Sequence, residues 1–306
     1  MMRFGWVFLT ALILPTFCAA APHKIVTSFT ILQDFVQEIG GDFVAVSTVV
    51  GPNSDAHVFE PTPQTAALLT TADLVVVNGL GFEAWFDRLK ETSGYKGPVC
   101  IATDGIEPRS LTQEGHLQHD PHAWLSVPNA KAYIQNIKTA LSRLDPVHQD
   151  TYQKNAAAYL LKLDDLDAWI REHLAPYPES ARVVITAHDA FFYFAKEYKV
   201  KVLAPVGIST QVEPSAWNMA ALIQQIKTLG IKTLFIENMT NPKLIHQLAD
   251  ETGASLGETL YSDALSEKNQ PASTYLALMR HNVTLLAKAM AHMSAPSDAM
   301  AASPAK

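Results

Sequence analysis

From Lys24 onward, short runs of continuous apolar residues alternate with stretches whose apolar positions recur at helical spacing. The runs over 24–27, 43–50, 73–78 and 99–103 predict strands. Between and after them, 31–39, 62–71, 81–89 and 129–144 predict helices. Gly40-Gly41 stops the first helix, Gly51-Pro52-Asn53 ends the second strand, and Pro63 stands in the first turn of its helix. The pattern then changes. Between His148 and Leu174 there is no glycine or proline, and Tyr152, Tyr159, Leu160, Leu163, Leu166 and Ile170 recur at helical spacing. A helix of that length extends roughly 40 Å at about 1.5 Å per residue. Pro176 and Pro178 end it, and alternation resumes with strands over 182–187, 201–205, 232–237 and 255–260 and helices over 190–198, 216–229, 242–251 and 273–292.

Strands of continuous apolar composition separated by helices imply parallel sheets covered on both faces. The expected fold is therefore α/β, with two lobes, each a mostly parallel sheet flanked by helices, joined by one long rigid backbone helix. The implied division is an N-terminal lobe over 22–147, the linking helix over 148–175, a C-terminal lobe over 176–293 and a disordered tail over 294–306.

The first twenty residues fall outside this pattern. Arg3 supplies a positive start, 4–14 is almost wholly apolar, and Ala19-Ala20-Ala21 follows. That is the three-part pattern of a secretory signal peptide, too short to span a membrane comfortably. Cleavage is expected near Ala20, giving an exported, periplasmic protein. Cys18 raises lipoprotein anchoring, but bulky Phe17 precedes it where such signals want a small residue, so anchoring is the less favoured reading. Cys100 lies in an apolar run and reads as a small buried hydrophobe.

Charge and composition narrow the function. With 23 basic and 30 acidic residues the 306-residue chain carries a formal charge of −7, without the basic face a nucleic-acid binder needs. Two cysteines cannot build a cysteine-based zinc module or a disulfide scaffold. Eleven histidines are the more informative stock. His57 lies in a turn-rich loop after a strand, His122 in His-Asp-Pro-His before a helix, His188 directly after an apolar strand, and Asp263 after the last strand. Open α/β sheets place their ligands at such strand ends. The four are 65, 66 and 75 residues apart, which puts two in each lobe. Three imidazoles and a carboxylate complete a tetrahedral set for a borderline-soft divalent ion.

The segments Asp-Ala-His-Val-Phe-Glu-Pro-Thr-Pro (55–63), Asp-Pro-His-Ala-Trp-Leu-Ser-Val-Pro-Asn-Ala (120–130), Val-Val-Ile-Thr-Ala-His-Asp-Ala-Phe-Phe-Tyr (183–193) and Leu-Tyr-Ser-Asp-Ala-Leu-Ser (260–266) resemble, in order, the zinc- and manganese-binding solute-binding proteins of ABC importers, the TroA-like (cluster 9) group. The resemblance covers about Lys24 to His292. It implies two α/β lobes around a rigid helix with the metal between them, and His57, His122, His188 and Asp263 as its ligands. It implies a non-enzyme that captures a metal outside the cytoplasm and delivers it to an ABC permease, and a monomer is expected. Many zinc members carry a long His-rich loop, here reduced to His116 and His119, which could form an auxiliary site. Many manganese members have Glu at the third ligand, where this chain has His188.

Three nitrogen donors and one carboxylate suit Zn2+, with Mn2+ as runner-up. A zinc hydrolase is the reading from another class. Four protein ligands leave no open position for water, and there is no H-E-x-x-H helix. Glu60, Asp120, Asp189 and Glu237 are candidates to orient the imidazoles. Trp124, Phe191 and Tyr193 are candidates for a dry wall. His148, His173, His246, His281 and His292 are expected to face solvent.

Overall fold

β1 (His23–Thr27) pairs in parallel with β2 (Val44–Thr48) on one side and β3 (Leu74–Val77) on the other, and β3 pairs with β4 (Val99–Ile101). The second sheet repeats this order. β7 (Val183–Ile185) lies between β8 (Lys201–Leu203) and β9 (Thr233–Leu234), and β9 pairs with β10 (Ser255–Leu256), all in parallel. In each sheet the first strand is flanked by the second and third, so each has one point where the winding reverses. Crevices at such points are where doubly wound sheets bind ligands. All four residues of β3 are buried, as a strand covered on both faces requires. This computed structural model describes residues 21–113 and 116–294. The signal peptide expected over 1–20 and, apart from Ser294, the tail expected over 294–306 lie outside the described residues.

Local sequence explains where helices start. Thr62 and Thr65 exchange side-chain and backbone hydrogen bonds in a capping box, with Pro63 opening α2 (Pro63–Thr70). Ser126 caps α4 (Val127–Leu144) and Ser215 caps α7 (Ala216–Leu229). The other helices are α1 (Thr30–Gly40), α3 (Phe86–Ser93), α5 (Gln149–Leu174), α6 (Phe192–Tyr198), α8 (Lys243–Thr252) and α9 (Tyr275–Ser294).

The 26 residues of α5 form the long helix expected from the sequence. It buries Tyr152, Ala156, Tyr159, Leu163, Leu166, Ile170 and Leu174 along one stripe, against α1 and α4 on one side and α9 on the other. One apolar core runs without a break from the first sheet through α5 to α6 and α9, and a second, smaller core lies between β7, β9, α7 and α8. A shared core makes α5 a rigid spine, because bending it would open both packing and backbone hydrogen bonds.

Three expectations need correction. The helix predicted over 81–89 begins only at Phe86. Before it, Gly79, Leu80 and Gly81 all take positive φ, and the carboxylate of Glu83 folds back to accept the backbone N–H groups of Asn78 and Gly79. The segment read as a loop before His122 is an antiparallel hairpin, β5 (Ser110–Gln113) with β6 (His116–His119). The strands expected over 232–237 and 255–260 each shorten to two residues, followed by an isolated bridge between Glu237 and Leu260. β1 begins at His23, one residue before the start expected for the first strand. No helix among the described residues is long and apolar enough to cross a membrane.

Candidate metal centre

Each of the four candidate residues stands where a chain segment leaves a strand toward the cleft. His57 lies in the loop after β2, and its N–H donates to Asp55 Oδ1 (2.8 Å). His122 opens a 3-10 turn between β6 and α4, and its N–H donates to Asp120 Oδ1 (3.0 Å). His188 follows β7 and forms an isolated bridge with Val206. Asp263 follows Leu260, which is bridged to Glu237. All four are buried: His57 is 5% exposed and the other three 0%.

Their donor atoms converge. His122 Nε2 lies 3.3 Å from both His57 Nε2 and His188 Nε2. Asp263 Oδ2 lies 3.3 Å from His57 Nε2 and 3.2 Å from His188 Nε2, and Asp263 Oδ1 lies 3.6 Å from His122 Nε2. One donor atom from each of the four can be chosen so that all lie within 4.8 Å of one another. A tetrahedron with metal–donor bonds of about 2.0–2.1 Å has edges of about 3.3–3.4 Å. With Asp263 Oδ2 as the oxygen donor, four of the six separations lie at 3.2–3.3 Å, close to that edge. Neither oxygen of Asp263 makes a well-aligned hydrogen bond, although the residue is fully buried. A buried carboxylate without such bonds is expensive unless a cation completes it.

The surroundings aim the imidazoles. Asp120 Oδ1 also lies 2.8 Å from His122 Nδ1, and Glu237 Oε2 lies 2.8 Å from His188 Nδ1. Carboxylates at Nδ1 favour a proton there and leave the Nε2 lone pair facing the cleft. Glu237 is itself fixed, accepting from the N–H groups of Ala187 (2.8 Å) and His188 (3.0 Å) and from Ser262 Oγ. Trp124 stands edge-on to His122 at 5.3 Å between centroids and donates through Nε1 to Ser262 O (2.9 Å). Tyr193 donates to Asp120 O (2.8 Å) and accepts from Arg109 N (3.0 Å). Phe191 belongs to the core.

Two of the proposed orienting residues do something else. Glu60 is exposed and forms no ion pair with an imidazole. Asp189 turns away from His188 to accept from Arg109 Nη1 (2.9 Å), which also reaches Asp120 Oδ2 (3.2 Å). Successive side chains of an extended segment point to opposite sides, so the neighbour of an inward ligand faces outward. His119 pairs with Ser110 Oγ (3.0 Å), and the side chain of His116 lies outside the described residues. Among the helical histidines, His173, His246 and His292 are exposed as expected, but His148 and His281 are half-buried. His148 stacks on Phe43 and bonds to Asp145 (2.6 Å); His281 bonds to Thr259 O (2.9 Å).

Sequence reasoning missed Phe82, edge-on to His57 at 4.8 Å, as well as Asp55 and Arg109. Asp55 had a readable signal: Asp55-Ala-His57 repeats the spacing of Asp120-Pro-His122, and both aspartates accept their histidine's N–H.

Three buried carboxylates set the electrostatics. Burial lowers the His57 pKa and dominates there. Burial also acts against charge on His122, but Asp263 and Asp120 outweigh it and lift that imidazole to about 9. His188 is lifted well above the ordinary value because Glu237 and Asp263 outweigh its burial. Burial would raise Asp263, yet His122 and His188 hold its carboxyl well below the usual range. Cys100 is remote from this chemistry: burial pushes its thiol up to about 12.

Residues 25–289 match the family described as ZnuA, zinc-uptake complex component A, periplasmic. The chain belongs to the ZnuA family. Among the family's relatives, the iron-binding protein YfeA of Yersinia pestis is 37% identical over 271 residues, 88% of this chain and 86% of that protein. The manganese-binding lipoprotein MntA of Bacillus subtilis is 32% identical over 265 residues, 85% and 87% of the two chains. The solved structure of the periplasmic zinc-binding protein TroA of Treponema pallidum superimposes with a TM-score of 0.83 at 28% identity, covering 88% of this chain and 99% of that one. As a ZnuA-family member, the chain is a metal-binding substrate-binding protein of an ABC transporter.

Proposed function

We propose that this protein captures Zn2+ in the periplasm between lobes 22–147 and 176–293, holds it through His57, His122, His188 and Asp263, and delivers it as a monomer to an ABC permease in the inner membrane. The observation that carries the proposal is the convergence of three Nε2 atoms on the buried Asp263, which makes no well-aligned hydrogen bond, with four separations close to tetrahedral edge lengths. Such a site prefers a borderline ion with short bonds, and zinc stands well above manganese in intrinsic affinity for these ligands. Four protein donors leave no position for an activated water, so the site suits carriage rather than hydrolysis. The signal pattern of 1–20 supports export, and Phe17 before Cys18 favours cleavage over lipid attachment.

A second reading, Mn2+ or Fe2+ as the carried ion, is favoured by the names of the Yersinia and Bacillus relatives. It is also favoured by the fact that both Asp263 oxygens face imidazoles, so the carboxylate could widen the coordination for a larger ion. Titrating metal-free protein separately with Zn2+, Mn2+ and Fe2+ tests the choice. One ion per chain is expected, with zinc binding tightest. Manganese binding more tightly than zinc would overturn the preference and leave the site assignment intact.

A further inference from the structure

His57 differs from the other three ligands. It is the one with residual exposure, and it lines a cavity of about 400 Å³ that none of the other three reaches. Phe82 from the turn after β3, Leu117 and His119 from β6, and Ile208 and Gln211 from the loop between β8 and α7 wall this cavity. An ion leaving through it must first part from His57.

The loop that carries His57 is held from the opposite lobe. Gln211 Nε2 donates to the His57 carbonyl (2.6 Å), and Thr210 Oγ1 donates to Asp55 Oδ2 (2.6 Å), the aspartate whose other oxygen fixes the His57 N–H. Both bonds join the segment after β2 to the segment after β8, and both are partly buried. Two adjacent residues therefore hold the loop of the outermost ligand, and Gln211 also stands at the opening beside it.

We infer that Thr210 and Gln211 are positioning residues that latch the His57 loop across the cleft and set the rate at which the metal leaves. The inference rests on the four-ligand reading above. The latch holds a ligand without touching the ion. Its loss therefore acts on departure, where His57 must move, more than on capture, which begins with encounter of an open cleft. A permease that displaced the 208–211 segment would release the ion without bending α5.

The test is stopped-flow release of Zn2+ from loaded full-length mature protein into excess chelator, for wild type, Thr210→Val/Gln211→Leu, Gln211→Leu alone and Thr210→Ser. Losing two hydrogen bonds, one of them to a carboxylate, should speed release roughly tenfold or more. Association should stay within about twofold, because it is set mainly by encounter. Thr210→Ser keeps the hydroxyl and should release at the wild-type rate. Should the double variant fail to fold, Gln211→Leu alone still has to release faster than wild type. Wild-type release rates in every folded variant would overturn the latch. So would a loss in Thr210→Ser equal to that in the double variant. Wild type that binds no zinc would instead overturn the four-ligand reading, so the two failures are distinguishable.

Discussion

Replacing His188 with alanine weakens zinc binding roughly a hundredfold, and His122→Ala does the same, whereas His119→Ala stays within about twofold. The scale follows from a total of about 10–16 kcal/mol for a closed zinc site, or about 3 kcal/mol per ligand over four ligands. Truncation does more than remove a donor. Glu237 lies 2.8 Å from His188 Nδ1, and Asp263 Oδ2 lies 3.2 Å from its Nε2, so His188→Ala strands two buried carboxylates. His119, at the edge of the hairpin, pairs with Ser110 Oγ and is not among the converging four. Chelator competition measures the three affinities. Equal losses at His119 and His122 would show that the ligand assignment is wrong.

Zinc loading at pH 7 expels about two protons, and affinity rises with pH by about a hundredfold per unit up to about pH 9. Without metal, His122 is held at about 9 and His188 well above the ordinary histidine value, so both are imidazolium at neutrality. His57 is shifted down and stays neutral. Two imidazolium protons balance the same charge that a divalent ion supplies among Asp120, Glu237 and Asp263. The sign follows directly. A raised pKa means the proton is bound below it, the ion must displace that proton, and each displaced proton costs about tenfold in affinity per unit of acidification. This places the competition well above the ordinary histidine range near pH 6.5, which three unperturbed imidazoles would give. Calorimetric titrations in buffers of different ionisation enthalpy count the protons. No proton released at pH 7 would contradict the electrostatic account.

The sequence carried the alternation of the two sheets, the spine helix and the four converging residues, for identifiable reasons. Strands buried on both faces are continuous apolar runs, as in Leu74–Val77, and a helix that packs on both lobes keeps one long stripe free of glycine and proline. The four converging residues were legible because they stand at strand ends and fall in four recognisable motifs. The hairpin Ser110–His119 was not legible, because Leu111 and Leu117 are its only apolar residues and Leu117 is 66% exposed. A strand pair with no fully buried side chain among its described residues leaves no period-two pattern. The late start of α3 was hidden because a buried carboxylate, Glu83, redirects the chain through contacts that no local pattern records. Arg109, Thr210 and Gln211 act across 80 to 155 positions of sequence, so only the folded chain reveals them.

The central claim, that three imidazoles and one carboxylate hold the ion, is tested most directly by X-ray absorption at the zinc edge of the loaded protein. The account predicts three imidazole nitrogens and one carboxylate oxygen at about 2.0–2.1 Å, with no sulfur in the coordination sphere. A shell with fewer than three imidazoles, or one dominated by oxygen donors, would contradict it.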